Sequence, residues 1–132
     1  RALDDDRASH VERIGVAPFL DDWLSTPMFA GLPADAAGLD HRRRNTAAGL
    51  AHSLRSAGTG SQPSVWHRLH ELDVPVLVIA GSRDTKFVDI GRRMTAIMPR
   101  ATFAMVQDAG HAVHVEAPDQ TVEIITDWLG ER

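Results

Sequence analysis

Along residues 1–62 the apolar positions recur at helical spacing and no run of β-branched residues interrupts them, which predicts helix after helix. In residues 3–14 the apolar positions Leu3, Val11 and Ile14 are sparse, so a polar, exposed helix is expected there. Pro18 suits the first turn of a second helix, whose apolar stripe is Phe19, Leu20, Trp23 and Leu24. Met28 to Pro33 reads as an apolar turn, and a third helix is expected to begin near Asp35. A further helical pattern over residues 45–54 runs into Ser56-Ala57-Gly58-Thr59-Gly60-Ser61, a loop by composition.

From residue 63 onward the pattern changes. Val74-Pro75-Val76-Leu77-Val78-Ile79-Ala80-Gly81 is a short apolar run of the kind found in strands covered on both faces. A helix is expected over residues 88–98, closed by Pro99, then a second strand over 102–106. Pro118 opens an amphipathic helix with Val122, Ile125 and Leu129 on one face, ended by Gly130. This alternation is that of an α/β fold with a parallel sheet, but two strands make only the edge of one, so the fold is expected to be incomplete. Two regions follow, residues 1–62 and 63–132.

Composition narrows the function. A chain of 132 residues with 43% hydrophobic residues is one domain's worth of folded material, and its net charge of −4 argues against a nucleic-acid partner. The one basic run, Arg42-Arg43-Arg44, reads by itself as a solvated helix face. Cysteine is absent, which removes a thiolate nucleophile and a disulfide framework and suits a reducing compartment. No segment approaches the roughly 18 apolar residues of a membrane helix. The chain begins with Arg rather than Met, so its natural start is expected to lie upstream. His111 with His114, and His67 with His70, lack the third ligand of a metal site, and Gly58-Thr59-Gly60 lacks the lysine of a phosphate loop, so neither metal nor cofactor is expected.

In open α/β sheets functional groups sit beyond the carboxyl ends of the strands. Two segments qualify, Gly81-Ser82-Arg83-Asp84 and Asp108-Ala109-Gly110-His111, one strand–helix–strand unit apart. A carboxylate beside an imidazole fixes its tautomer and stabilises the imidazolium, leaving the other ring nitrogen to take a proton from a hydroxyl. Asp84 and His111 are the candidate catalytic pair, with Asp108 or Asp89 as alternatives for the acid.

Acid then histidine is the order of the α/β-hydrolases. Val76 to Asp84 resembles the strand-and-acid segment of that superfamily, and Ala109-Gly110-His111 with Glu116-Ala117-Pro118 is similar to its histidine loop and last helix. The likeness covers residues 63–132 and implies the C-terminal portion of an α/β-hydrolase fold, a helical cap plus the last two parallel strands and helices. The superfamily's Gly-x-Ser-x-Gly elbow is missing, since none of Ser9, Ser25, Ser53, Ser56, Ser61, Ser64 or Ser82 is so flanked. The nucleophile is therefore expected to precede Arg1. Phe19-Leu20-Asp21-Asp22-Trp23-Leu24, Pro27 to Leu32, Arg42 to Asn45, Gln62-Pro63 and Asp84-Thr85-Lys86-Phe87 resemble the 2-succinyl-6-hydroxy-2,4-cyclohexadiene-1-carboxylate synthase family of menaquinone biosynthesis.

That second resemblance implies a cytoplasmic lyase that expels pyruvate from a small carboxylate substrate. It gives Arg42 a carboxylate-binding role, with Arg43 or Arg44 in its place if the alignment slips, and makes Trp23 a pocket-lining residue where the residues alone suggest a core anchor equally well. The departures are Arg43-Arg44-Asn45-Thr46, where the family is rich in asparagine. An ester or C–C bond hydrolase of the same fold is the first alternative, and a non-catalytic binding module the second. An exposed strand edge leads us to expect either self-association or a second polypeptide carrying the N-terminal half.

Overall fold

The computed structural model describes residues 1–33 and 38–130, and the expected start of a helix near Asp35 lies outside them. The chain divides into two compact units, Arg1–Thr26 with Ala37–Ser64, and Pro27–Ala36 with Val65–Arg132.

The first unit is helical: α1 (Ala2–Ile14), α2 (Val16–Leu24), α3 (Leu39–Arg42) and α4 (Ala47–Ala57). Its buried cluster is Ala8, Val11, Phe19 and Ala51, with Ile14, Trp23, Ala47, Leu50 and Leu54 packed around it. The expectation of an exposed α1 is thus corrected. Val11 and Ala8 are both 0% exposed, because one face of α1 lies along α4. Two alanines at the contact let the helices approach, and alanine carries no mark of burial in a hydrophobicity pattern. Across the same interface Arg55 donates a two-pronged hydrogen bond to Glu12, 2.7 Å on each prong. Gly15, at φ 84°, ends α1 and lets α2 start at once, a conformation that favours glycine. Thr46 caps α4, its hydroxyl accepting from the Gly49 N–H at 3.0 Å. The stretch read as loop is more ordered than expected. Helix α4 runs to Ala57, and Thr59–Ser61 forms a 3-10 turn, held by Asp4 accepting from the Gly60 N–H at 3.1 Å.

The second unit carries β1 (Val76–Gly81), α5 (Thr85–Thr95), β2 (Ala101–Val106), α6 (Val113–Glu116) and α7 (Pro118–Gly130). Strands β1 and β2 pair in parallel, Val76 opposite Ala101 through Gly81 opposite Val106. Among the described residues they form a two-stranded sheet. Only Ala80 and Gly81 of β1 are fully buried, so the two-face burial that the apolar run suggested holds at its carboxyl end alone. A strand with one neighbour in a two-stranded sheet leaves its first four residues half-covered. Helix α5 begins three residues earlier than the hydrophobic pattern suggested, because Asp84 caps it. Gly91 lets α5 lie close on the sheet, since a Cβ there would stand 2.6 Å from the Phe103 ring. The α7 stripe of Val122, Ile125 and Leu129 is exposed. The covered side is instead Thr121, with Ile124 and Trp128 half-buried, and the Thr121 hydroxyl donates to the carbonyls of Ala117 at 2.8 Å and Val113 at 3.0 Å. Among the described residues no helix is long and apolar enough to cross a membrane.

Two outcomes test the first unit. Ala51→Leu overfills the α1–α4 contact and is expected to lower unfolding free energy by about 1–3 kcal/mol in urea titrations. Hydrogen bonding to Arg55 holds the Glu12 carboxyl below its ordinary pKa. Its contribution is therefore full above the unfolded-state pKa and fades as pH falls through the folded one. Glu12→Gln should lower the urea midpoint near neutral pH, and the gap to the native protein should close on acidification.

Candidate active site

The site grows from the common end of the two strands. Beyond β1 the chain turns tightly, the Asp84 N–H donating to the Gly81 carbonyl at 3.0 Å. Beyond β2 the ladder continues through the Ser82 N–H to the Val106 carbonyl and the Arg83 N–H to the Ala109 carbonyl, both at 2.9 Å. Ser82 Oγ also accepts from the Asp108 N–H at 2.9 Å. Asp108 takes a left-handed φ of 56°, which aspartate tolerates better than most residues. Gly81 is required where the loops meet, because a Cβ there would strike the carbonyl oxygens of Ala109 and Gly110.

These contacts bring Asp84 and His111 together. His111 Nδ1 lies 2.6 Å from Asp84 Oδ2. An ionised carboxylate only accepts, so Nδ1 carries the proton, and in the neutral imidazole Nε2 then keeps its lone pair. The other carboxylate oxygen, Oδ1, accepts from the Phe87 N–H at 3.3 Å and caps α5, where a negative charge also meets the positive end of the helix dipole. The Asp84 side chain is 15% exposed against 33% for His111, so the acid is shielded while the imidazole remains reachable. The Phe87 ring packs edge-to-face with the imidazole, ring centroids 4.8 Å apart. The backbone N–H groups on either side of His111, those of Gly110 and Ala112, are both taken by the Glu116 carboxylate.

Of the alternative acids, Asp108 points to solvent with its side chain 89% exposed, 3.6 Å from Arg83, and Asp89 is exposed on α5. The pair opens on a cleft of about 320 Å³ lined by Pro27, Met28, Ala30, Gly31, Arg83, Asp84, Thr85, Lys86, Gly110 and His111. Arg83 and Lys86 put two cations on this cleft. Lys86 rests its ammonium 5.5 Å from the Phe87 ring centre.

Arg42 and Trp23 belong to the first unit. Arg42 closes α3, half-buried, with its carbonyl accepting from the Asn45 side chain at 2.8 Å. Trp23 packs on Phe19, ring centroids 5.8 Å apart, and lines a hollow of about 160 Å³ with Arg7, His10, Phe19, Asp22 and Thr26. Among the described residues no three metal-ligating side chains cluster. Sequence reasoning missed the cleft residues Arg83 and Lys86, whose placement beside Asp84 on a strand-end turn was a usable signal. It also missed the contact of Glu116 with the histidine loop.

The model of the alpha/beta hydrolase family matches residues 2–124. The chain belongs to the alpha/beta hydrolase family. Its likeness within that family is directed. A Bacillus subtilis protein assigned as 2-succinyl-6-hydroxy-2,4-cyclohexadiene-1-carboxylate synthase is 39% identical over 127 residues, covering 92% of this chain and 46% of that protein. The 2-hydroxy-6-oxononadienedioate/2-hydroxy-6-oxononatrienedioate hydrolase of Paraburkholderia phymatum is 37% identical over 71 residues, 52% of this chain and 24% of that one. The solved structure of MenH from S. aureus superposes with a TM-score of 0.92 at 33% identity, covering 98% of this chain and 51% of that one. The chain thus spans about half the length of the relatives that match nearly all of it.

The strand-end glycine gives this geometry a direct test. Gly81→Ala should force the Ala109–Gly110 segment off β1, and the amide proton of Arg83, which bonds the Ala109 carbonyl, should lose protection from hydrogen exchange. Unchanged protection of Arg83 would mean that the loops can part without cost.

Proposed function

We propose that this chain is the histidine-bearing part of a lyase of the alpha/beta hydrolase fold, one that eliminates pyruvate to form 2-succinyl-6-hydroxy-2,4-cyclohexadiene-1-carboxylate in menaquinone biosynthesis. The observation that carries it is the His111 imidazole, held through Nδ1 by Asp84 at 2.6 Å with Nε2 free to act as a base. The identity to a protein assigned that activity favours this chemistry over others on the fold.

In this reading His111 Nε2 takes the proton of a serine hydroxyl, and Asp84 stabilises the imidazolium that results. The serine oxygen then removes a proton from a substrate carbon. The freed electron pair forms a carbon–carbon double bond, and the C–O bond to the enolpyruvyl group breaks, leaving a conjugated diene and the enolate of pyruvate, which takes the proton back from the His111 imidazolium and becomes pyruvate. No serine of this sequence lies in a Gly-x-Ser-x-Gly elbow, so we assign that hydroxyl to a part of the enzyme outside these residues, on the same polypeptide or on a partner chain. Residues 1–62 act as the cap and 63–132 as the end of the core. Arg42 binds a substrate carboxylate by its guanidinium fork, Trp23 lines the pocket, and the cations Arg83 and Lys86 suit the same anionic substrate. The reaction needs no cofactor, and the compartment is the cytoplasm.

A hydrolase that cleaves a C–C bond is the second reading, favoured by the 37% identity to the Paraburkholderia enzyme. Product analysis separates them. In the complete enzyme, pyruvate and a conjugated diene should appear together, and His111→Ala should lower kcat by about 10²–10⁴-fold. Arg42→Ala should chiefly raise KM. Release of a new carboxylic acid from a vinylogous diketone, with no pyruvate from the enolpyruvyl substrate, would replace the lyase reading with the hydrolase one.

A further inference from the structure

Helix α6 is a single turn, Val113–Glu116, and its last residue folds back over the loop that delivers His111. Glu116 Oε2 accepts from the Gly110 N–H at 2.7 Å, and Oε1 accepts from the Ala112 N–H at 3.1 Å. One carboxylate therefore grips the chain immediately before and immediately after the histidine. Bonds to an ionised acceptor are among the stronger ones available to a backbone amide. The α6 backbone closes the circle, the Glu116 N–H donating to the Ala112 carbonyl at 2.9 Å.

The carboxylate is also hemmed in sterically. A Cβ at Gly110 would sit 3.0 Å from both Glu116 oxygens. On its other side is Gly31, from the turn after the Pro27–Phe29 3-10 helix, where a Cβ would overlap Oε2 and come within 2.9 Å of the carboxyl carbon. Glycine at 31 is thus a condition of the grip, since any side chain there takes the space the carboxylate occupies. Gly31 lines the cleft that holds Asp84 and His111, so the lining turn and the histidine loop meet on one carboxylate.

We infer that Glu116 is a positioning residue for His111. It touches no reacting group. Through the Ala112 N–H it fixes one of the two peptide planes that meet at the His111 Cα, and through the Gly110 N–H the plane that precedes the other, and so keeps Nδ1 within 2.6 Å of Asp84. Gly31 is its steric counterpart. The inference rests on the reading of His111 as the base, but its first readout does not depend on which reaction the protein catalyses.

That readout is the far-downfield proton resonance of the His111 Nδ1–H shared with Asp84, recorded on the protein with ¹⁵N-histidine labelling. Glu116→Ala and Gly31→Ala should each broaden or abolish it while leaving the far-UV circular dichroism unchanged. Glu116→Gln, which keeps one acceptor oxygen, should restore part of it. In the complete enzyme the first two variants should lose kcat by about 10²-fold with KM little altered, as expected for a misplaced catalytic group. The combination Glu116→Ala with Gly31→Ala should be no worse than Glu116→Ala alone, because the space that the added methyl group needs is then vacant. A native-like Nδ1 resonance in Glu116→Ala overturns the inference, and so do additive losses in the double variant. If Glu116→Ala unfolds, Gly31→Ala and Glu116→Gln decide the matter by the same resonance. A shifted resonance without any lyase turnover in the native enzyme would instead count against the proposed reaction and leave the role of Glu116 standing.

Discussion

The second unit depends on two parallel strands ending level with one another. Because Gly81 stands opposite Val106 as the last pair, the chain leaves both strands at the same height, and the next residues bond across the gap, Ser82 to Val106 and Arg83 to Ala109. That is a demanding junction. Backbone carbonyls and amides from both loops converge where β1 stops, and a side chain at position 81 would hold them apart. The close approach of Asp84 and His111 is the outcome of this backbone geometry, and no long-range attraction between their charges is needed to explain it.

Asp84 then does two jobs with two oxygens. Oδ1 starts α5 and Oδ2 holds the imidazole, so the residue that orients His111 is itself immobilised by the helix it begins. Phe87, whose N–H makes the cap bond, also packs its ring edge-to-face with the imidazole. The first turn of α5 therefore supports His111 from one side as Glu116 grips its backbone from the other. Rigid neighbours of this kind lower the cost of keeping a side chain aligned.

How much of this the sequence shows depends on what each feature uses. The Asp84–His111 pair was legible because strand ends leave a pattern, an apolar run closing on glycine and then an acid. The longer helices were legible, but the single turn α6 was not, and neither was the packing. Ala8 and Ala51 are core residues of the first unit, and alanine reads the same inside or outside. In α7 two apolar stripes compete, Val122-Ile125-Leu129 and Ile124-Trp128, and only packing against the rest of the unit decides that the second is covered. Glu116 was illegible for another reason. Its partners are backbone amides, which every residue but proline carries, so nothing in the side-chain sequence marks them as its targets.

The two oxygens of Asp84 differ in what they need. The cap bond at Oδ1 asks only for an acceptor, which an asparagine amide oxygen also provides. The bond from His111 asks for negative charge. Exchanging one oxygen for an NH₂ group would leave the start of α5 in place while reversing the polarity at the imidazole. Architecture and chemistry therefore part company at a single atom. A chain of this fold could lose the charge and keep its shape, and resemblance of backbones alone would not tell the two apart.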